Sequence, residues 1–502
     1  MTVDFEKLKE LAKLFAPYAP LYMVGGVVRD ELLGCSGGDV DICSPLTVDE
    51  VKRVLTGVPT NAPVCGVNSS QYTVLDRNLR MGTVHIVSHG FCAEYTTFRT
   101  DSYDRASGAH TPTDVRFTTD ISEDARRRDF KCNAVYKDIM TGEIVDPLSG
   151  VDDIKRGILV AADTPDNVFE ADGLRILRLV RFACELGFEI EQDTMRAAKQ
   201  NAWRVKDIAV ERVREELNKI FISDCNYKGK LTQKQSECGA TDTERECNAS
   251  AECSHNVDNN VESDTANIKP HLRGIKLLDE LGLIDLLLPE LAELKDLSQP
   301  KKYHIFDAYW HSIKAFEVSP PHLRWAALLH DVGKRRAFEL NGGVNMHGHD
   351  EIGADMVRGI LGRLKFANAD KARTVSLVRW HMVDVKGDMS WHKLRRFAAE
   401  HSDIADDLCV IKEVDAFASS GRRLEQNRLR EAWNEIQEDG TPLSIKQLKV
   451  DGNDLKELGV EDKEIGNILS ELWLDTVLNP ALNDKNKAIK YVLRKVNGSF
   501  DE

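Results

Sequence analysis

The stretch from Val24 to Ile42, VGGVVRDELLGCSGGDVDI, constrains this chain more than any other. The apolar run Leu21 to Val24 reads as a strand, Gly25 and Gly26 as a tight turn, and Val27 to Leu33 as a short amphipathic helix. Two residues without Cβ let a phosphate approach backbone N–H groups at the positive end of that helix, and Arg29 adds a fixed cation. Gly37 and Gly38 make a second turn, after which Asp39, Val40, Asp41 and Ile42 alternate charged and apolar. A strand there projects both carboxylates from one face and sends Val40 and Ile42 to the core. Like charges on one face repel, and divalent cations that also clamp the oxygens of a phosphoryl group relieve the repulsion. A lone GG or a lone DxD is a common accident; the order strand, turn, helix, turn, strand is far more specific.

Composition sets the frame. At 502 residues the chain exceeds what one core usually holds. No apolar run reaches membrane-spanning length, and MTVDFEKLKELAKLF reads as a charged amphipathic helix and not a signal peptide, so a cytoplasmic protein is expected. Eleven cysteines without a CxxC pair suit reduced thiols. A net charge of −15 argues against a general nucleic-acid coat, though binding depends on a local basic face and not on the sum.

The opening residues resemble the signature of the DNA polymerase β-like nucleotidyltransferases, in particular the bacterial-type (class II) tRNA nucleotidyltransferases, CCA-adding enzymes among them, and poly(A) polymerases. The pattern GGxVRD followed by DxD stands here as Gly25, Gly26, Val28, Arg29 and Asp30, then Asp39 and Asp41. Further on, His85 to Val87 suits a strand, and Ala93 to Arg99 (AEYTTFR) alternates. On the residues alone Glu94 is either a solvated edge-strand side chain or a third carboxylate; the resemblance, which implies an acidic residue on a later strand of the sheet, favours the second. Thr100 to Phe117 is polar, long and Gly/Pro-containing, which predicts a mobile loop. The resemblance implies that such a loop serves addition of A. Three adjacent arginines, Arg126 to Arg128, are usually a solvated patch, but they open RRRDFKCNA, which leads toward a strand at Val135 and Tyr136. Arg127 to Ala134 resembles the RRDFxxNA motif, which implies that Arg128 contacts a triphosphate. VDPLSGVDDI, from Val145 to Ile154, closes this head.

Glu170 to Ile190 reads as one helix with an apolar stripe of Leu174, Leu177, Val180 and Ala183, and with Asp172, Arg175, Arg178 and Arg181 at every third position. At about 100° per residue each step of three lags by about 60°, so Asp172 and Arg175 are neighbours while Arg181 lies round the cylinder. An ordinary ion pair with exposed arginines explains this. So does a base-reading pair: an aspartate accepting from an exocyclic amine beside an arginine donating to a ring atom suits cytosine and adenine and rejects uracil and guanine. The segment resembles the EDxxR helix of the same family, with Ala171 standing where that family usually has Glu. The resemblance implies that Asp172 and Arg175 select CTP and ATP and that the later arginines hold phosphates. Ala209 to Ile220 is a further helix.

From Ser223 to Pro270 large apolar residues nearly vanish, which predicts a disordered insertion. Cys225, Cys238, Cys247, Cys253 and His255 lack zinc-site spacing. Metal-type ligands return in Tyr303 to Asp415: His311, His330 with Asp331, Gly333 and Lys334, then His347, His349, Asp350, His381 and Asp415. Nitrogen and carboxylate donors from separate helices suit a transition metal that activates water. The ordered set resembles the HD phosphohydrolase superfamily, which implies His311, His330, Asp331 and Asp415 as ligands and His349 as an accessory ligand or phosphate binder. A vestigial, purely structural HD core is the rival reading.

The expected fold is α+β: a mixed-sheet, polymerase-β-like head over residues 1–150, a helical neck over 151–222, the insertion at 223–270, a helical connection at 271–300, an HD domain at 301–420 and a helical body at 421–502 that resembles the tRNA-gripping tail of the family. The resemblance implies CCA addition to the tRNA 3′ end from CTP and ATP. Catalysis would fall to Asp39, Asp41 and Glu94 with Mg2+, and nucleotide binding to Gly26, Arg29, Arg128, Asp172, Arg175, Arg178 and Arg181. A second divalent transition metal would sit in the HD region, and no membrane is involved. A poly(A) polymerase or A-adding enzyme, and an HD phosphohydrolase with an RNA-binding head, stay open, as does self-association.

Overall fold

The computed structural model describes residues 5–35, 40–56, 72–103, 112–228, 268–299 and 305–496. They fall into two compact units, Met1–Leu287 and Leu288–Glu502.

The first unit is built on a mixed sheet. Its strands are β1 (Tyr22–Val24), β2 (Asp41–Ser44), β3 (Thr73–Asn78), β4 (Thr83–Ser88) and β5 (Phe91–Thr97). β6 (Arg99–Ser102) and β7 (Asp114–Phe117) form a separate antiparallel ribbon, and β8 (Tyr136–Asp138) and β9 (Ile144–Val145) complete the sheet, whose order is β3-β4-β5-β2-β1-β8-β9. Every pair is antiparallel except β2 with β5. The period-2 pattern decides which face is covered. Along β5, Phe91, Ala93 and Tyr95 are buried while Cys92 and Glu94 are exposed. Helix Phe5–Phe15 buries Leu8, Leu11, Ala12 and Phe15, the i, i+3, i+4, i+7 stripe, and sets Phe15 against Tyr95 with ring centroids 6.0 Å apart. That helix closes the face opposite Glu94. Removing the fully buried Phe15 ring would cost about 3–5 kcal/mol.

Two expectations need correction. The stretch Thr100 to Phe117 holds the two arms of the β6–β7 ribbon, paired from Arg99↔Phe117 to Ser102↔Asp114, with residues 104–111 outside the described residues. Polar composition hid the strands because ladder hydrogen bonds are made by the backbone. The Arg99 guanidinium is fixed by Asp101 at 2.9 Å and by the Met81 carbonyl at 2.7 Å. The expected continuous helix from Glu170 is broken: one helix spans Pro165–Ala171 and the next Leu174–Leu186. Asp172 between them is extended (φ −152°, ψ 108°), and its Oδ1 accepts from the Leu174 N–H at 2.9 Å. A short acidic side chain that bonds the backbone just ahead of it ends one helix and starts the next, and Gly173 adds no helical preference. Helix Val210–Phe221 follows as expected. Of the residues that lack zinc-site spacing, Cys225 is exposed; Cys238, Cys247, Cys253 and His255 lie outside the described residues.

The second unit is helical throughout its described residues. His311, His349 and Asp415 lie on helices Ala308–Val318, His349–Arg363 and Ala405–Ser420, while His330 with Asp331 and His381 directly follow helices Arg324–Leu329 and Asn368–Trp380. Trp391–Glu400 and Arg428–Glu438 share a core with the last of these through Leu394, Leu408, Ile411 and Trp433. Asp462–Leu478 and Lys485–Val496 close a smaller cluster around Leu455, Leu472 and Val492. Among the described residues no helix is long and apolar enough to cross a membrane.

Candidate active site

Asp41 stands at the start of β2, directly in register with Glu94 on the parallel neighbour β5. Residues opposite each other in adjacent strands share a face, so the two exposed carboxylates lie side by side. The turn before the helix Gly26–Leu32 comes up against them. Gly25 has φ +80°, which disfavours any side chain, and a Cβ there would sit 3.4 Å from Asp41 Oδ2. Across the next strand, His85 Nε2 is 3.4 Å from Glu94 Oε2. Asp39 lies outside the described residues. Hard carboxylate oxygens on an exposed strand end fit Mg2+.

The arginines are held by groups that sequence reasoning had not assigned. Arg29 is 5 % exposed and donates to Asp30 and, at 2.6 Å, to Asn133 Oδ1. Asn133 Nδ2 donates to Asp129 Oδ1 at 3.1 Å, and Asp129 Oδ2 accepts two bonds from Arg178, at 2.9 and 2.6 Å. One network thus joins the glycine turn, the RRRDFKCNA segment and the neck helix. Burial works to raise the Asp129 carboxyl, but Arg178 and Asn133 outweigh it and hold it well below the ordinary carboxylate range. Arg128 donates to Tyr136 Oη at 3.2 Å and to Asp124 Oδ2 at 3.0 Å, and Arg127 donates to Asp124 Oδ1 at 2.7 Å. Burial again raises Asp124, and Arg128 and Arg127 bring it down to about 2. Arg181 lies between Glu216 at 2.7 Å and Glu185 at 2.9 Å. Asp129 and Asn133 were within the recognised motif; that they steady arginines was not legible from spacing.

At the neck, Arg175 donates to the Arg127 carbonyl at 2.6 Å and the Val168 carbonyl at 3.3 Å. It lines a cavity of about 330 Å³ with Tyr103, Arg127, Asp163 and Asn167. Asp172 Oδ2 is 3.5 Å from Arg212, and Glu170 is 3.9 Å from Arg204.

In the second unit a tight cluster forms. His311 Nε2 lies 3.1 Å from both Asp331 Oδ2 and Asp415 Oδ1, and His330 Nε2 lies 3.1 and 3.5 Å from the same two oxygens. On the other side of Asp331, Oδ1 is 3.2 Å from His349 Nε2 and 3.7 Å from His381 Nε2. Two candidate ligand groups result, His311/His330/Asp331 and Asp331/His349/His381, sharing the aspartate. The Nδ1 atoms of His330, His349 and His381 each meet a backbone carbonyl, at 2.8, 2.9 and 2.6 Å, which fixes the proton there and turns the Nε2 lone pair inward. Burial lowers His330, yet Asp331 and Asp415 outweigh it and push it up to about 10; burial with His330 and His349 takes His381 down to about 4. A divalent cation offers the same carboxylates a better partner and leaves the imidazoles neutral. Gly333 makes the cluster possible, because a Cβ there would lie 2.2 Å from the His349 carbonyl oxygen. His347 is exposed and Asp350 partly so; neither is among the clustered ligand groups. His381 was visible in the sequence as a metal-type residue but had no place in the expected ligand set.

Comparison with known proteins fits this geometry. Residues 21–160 match the poly A polymerase head domain, 187–229 the probable RNA and SrmB- binding site of polymerase A, and 303–420 the HD domain. One chain thus carries matches to a poly A polymerase head domain, an RNA-binding segment and an HD domain, in that order. An A-adding tRNA nucleotidyltransferase of Deinococcus radiodurans is 34 % identical over 323 residues, 61 % of this chain and 62 % of that one. A CCA-adding enzyme of Ligilactobacillus salivarius is 36 % identical over 220 residues, 44 % and 50 % of the two chains. The chain therefore spans between a half and two thirds of the length of these curated relatives. In fold, the Bacillus stearothermophilus CCA-adding enzyme in complex with CTP resembles it with a TM-score of 0.59 at 22 % identity, over 99 % of both chains. The Thermotoga maritima CCA-adding enzyme complexed with tRNA does so with 0.52 at 17 %, over 98 % of this chain and 95 % of that one. The head match thus covers the sheet with Arg29, Arg128 and Asp129, the HD match covers the histidine cluster, and Arg175, Arg178 and Arg181 lie between the first two matches.

Proposed function

We propose that the chain is a template-independent tRNA nucleotidyltransferase that builds CCA on the tRNA 3′ end from CTP and ATP. The observation that carries this is the in-register pair Asp41 and Glu94 beside the Gly25–Gly26 turn. The RNA 3′-hydroxyl oxygen bonds to the α-phosphorus as the bond to the β-phosphate oxygen breaks; pyrophosphate leaves with that electron pair and the hydroxyl proton is lost to solvent. Asp41, with Glu94 in register beside it, and Asp39 would hold Mg2+, which when bound acidifies the hydroxyl and neutralises charge building on the α-phosphate. Gly26 leaves room for phosphate at the turn. Arg29, Arg128, Arg178 and Arg181 grip the triphosphate; a guanidinium has five N–H groups, so the carboxylate pairing orients each one without exhausting it. Asp172 accepts from the exocyclic amine and Arg175 donates to the ring. The experiment is nucleotide omission on tRNA lacking CCA. CTP alone should add two residues, ATP alone almost none, and both together three. A ladder of A from ATP alone would favour poly(A) synthesis, and a single A added only to tRNA ending in CC would favour the A-adding activity for which the Deinococcus relative is named.

The histidine cluster favours a second activity, metal-dependent phosphoester hydrolysis. His311, His330, Asp331 and Asp415, with His349 and His381 across Asp331, would hold divalent transition metal ions, which when bound supply a hydroxide at neutral pH. Both activities fit a cytoplasmic enzyme of tRNA maturation.

A further inference from the structure

Three of the four arginines assigned to the triphosphate share a neighbour. Phe182, 6 % exposed on the neck helix, has the Arg181 guanidinium carbon 4.1 Å from its ring centroid and those of Arg29 and Arg178 each 5.2 Å away. Phe130 meets the same ring edge-on at 5.9 Å. Arg29 comes from the helix after the glycine turn, whereas Arg178 and Arg181 come from the neck, so one ring lies between cations of two distant segments. Three guanidiniums this close repel one another. Carboxylates relieve part of that: Asp30 pairs with Arg29, Asp129 with Arg178, and Glu185 and Glu216 with Arg181. Each carboxylate, however, fixes only the arginine it pairs with. The π-face is common to all three, and its attraction for a cation strengthens where water is excluded.

We propose that Phe182 is a positioning residue for nucleoside triphosphates: its ring gathers Arg29, Arg178 and Arg181 at one spacing, so that they meet a polyphosphate as a single site whatever base is attached. This rests on the nucleotidyl-transfer reading. Phe182 touches no reacting atom; it acts through the arginines, so its loss weakens affinity for the polyphosphate and leaves base choice alone.

The test compares the full-length wild type, Phe182→Leu and Phe182→Tyr by calorimetric titration with inorganic tripolyphosphate and by steady-state kinetics with CTP and ATP. Phe182→Leu should weaken tripolyphosphate binding by about 5- to 30-fold and raise both KM values by a similar factor, with kcat changed far less. Phe182→Tyr, which keeps the ring, should stay within about twofold of wild type. Tripolyphosphate binding unchanged in Phe182→Leu, or equal loss in Phe182→Tyr, would overturn the proposal. Should Phe182→Leu fail to fold, a series of fluorinated phenylalanines at position 182 decides: affinity falling with each fluorine supports a π role, and a flat series refutes it. A wild type that binds tripolyphosphate through Phe182 but incorporates no nucleotide would remove the proposed activity and leave this inference standing.

Discussion

At the scale of single residues, the proposed chemistry falls to the carboxylates of the first unit and the proposed substrate contacts to its arginines. Glu94 lies beside Asp41 in register, but it also has His85 within 3.4 Å, so its charge is shared. Glu94→Gln should therefore lower kcat by about 10- to 100-fold while leaving KM for ATP within a few-fold, as read from labelled AMP incorporation into tRNA ending in CC. Asp172 is a separate case, because its proposed role is to select the base and not to catalyse. Asp172→Ala should relax base choice, lowering the preference for CTP over UTP by about 10- to 100-fold in competition assays. The side-by-side placement of Asp41 and Glu94 was legible because alternation and motif order mark it, whereas Asp172 and Arg175, read as neighbours on one helix, meet different partners: Asp172 lies 3.5 Å from Arg212 and Arg175 donates to the Arg127 carbonyl. Asp124, Asp129 and Asn133 were not assigned, since what they do is hold arginines from other segments, and pairing across the fold leaves no trace in local spacing.

At the scale of elements, the sequence pattern located β1, β2, β4, β5 and β8 and the helix after the glycine turn but not β3 or β9, and it failed where backbone chemistry overrode periodicity. Leu174 to Leu186 has an apolar stripe that continues back past Asp172 on paper, yet the aspartate bonds the Leu174 N–H and the helix starts afresh. The β6–β7 ribbon was read as loop because its side chains are polar, although its ladder is made by main-chain groups. Asp124 shows how an element is fastened. It ties helix Ile121–Arg126 to β8 through Tyr136 Oη at 2.7 Å and accepts from Arg127 and Arg128. Its folded pKa of about 2 lies below the model-compound value of 3.8, so its contribution is fully present above about pH 4 and is lost as pH falls through about 2. Urea unfolding should show wild type losing about 2 kcal/mol more than Asp124→Asn between pH 5 and pH 2. Equal acid sensitivity of the two would place the loss elsewhere.

At the scale of the whole molecule, the candidate sites lie in different compact units, Met1–Leu287 and Leu288–Glu502. Changes at independent sites act additively, so the two chemistries should separate. Asp331→Ala removes the aspartate common to both ligand groups and should abolish hydrolysis of a small phosphoester substrate with added Ni2+ or Mn2+, while nucleotide incorporation stays within about twofold. The net charge of −15 makes RNA binding by the chain as a whole unfavourable, so the proposed recognition of tRNA has to come from local basic faces. The central claim is that the carboxylate pair at the start of β2 and on β5 drives growth of a tRNA end without a template. Its most direct measurement is incorporation of labelled CMP and AMP into tRNA lacking CCA by wild type and by Asp41→Asn, at saturating nucleotide and Mg2+. Wild type should restore all three nucleotides and Asp41→Asn should be slower by about 10³-fold or more with its fold intact; no incorporation by wild type, or equal rates for the two, would contradict it.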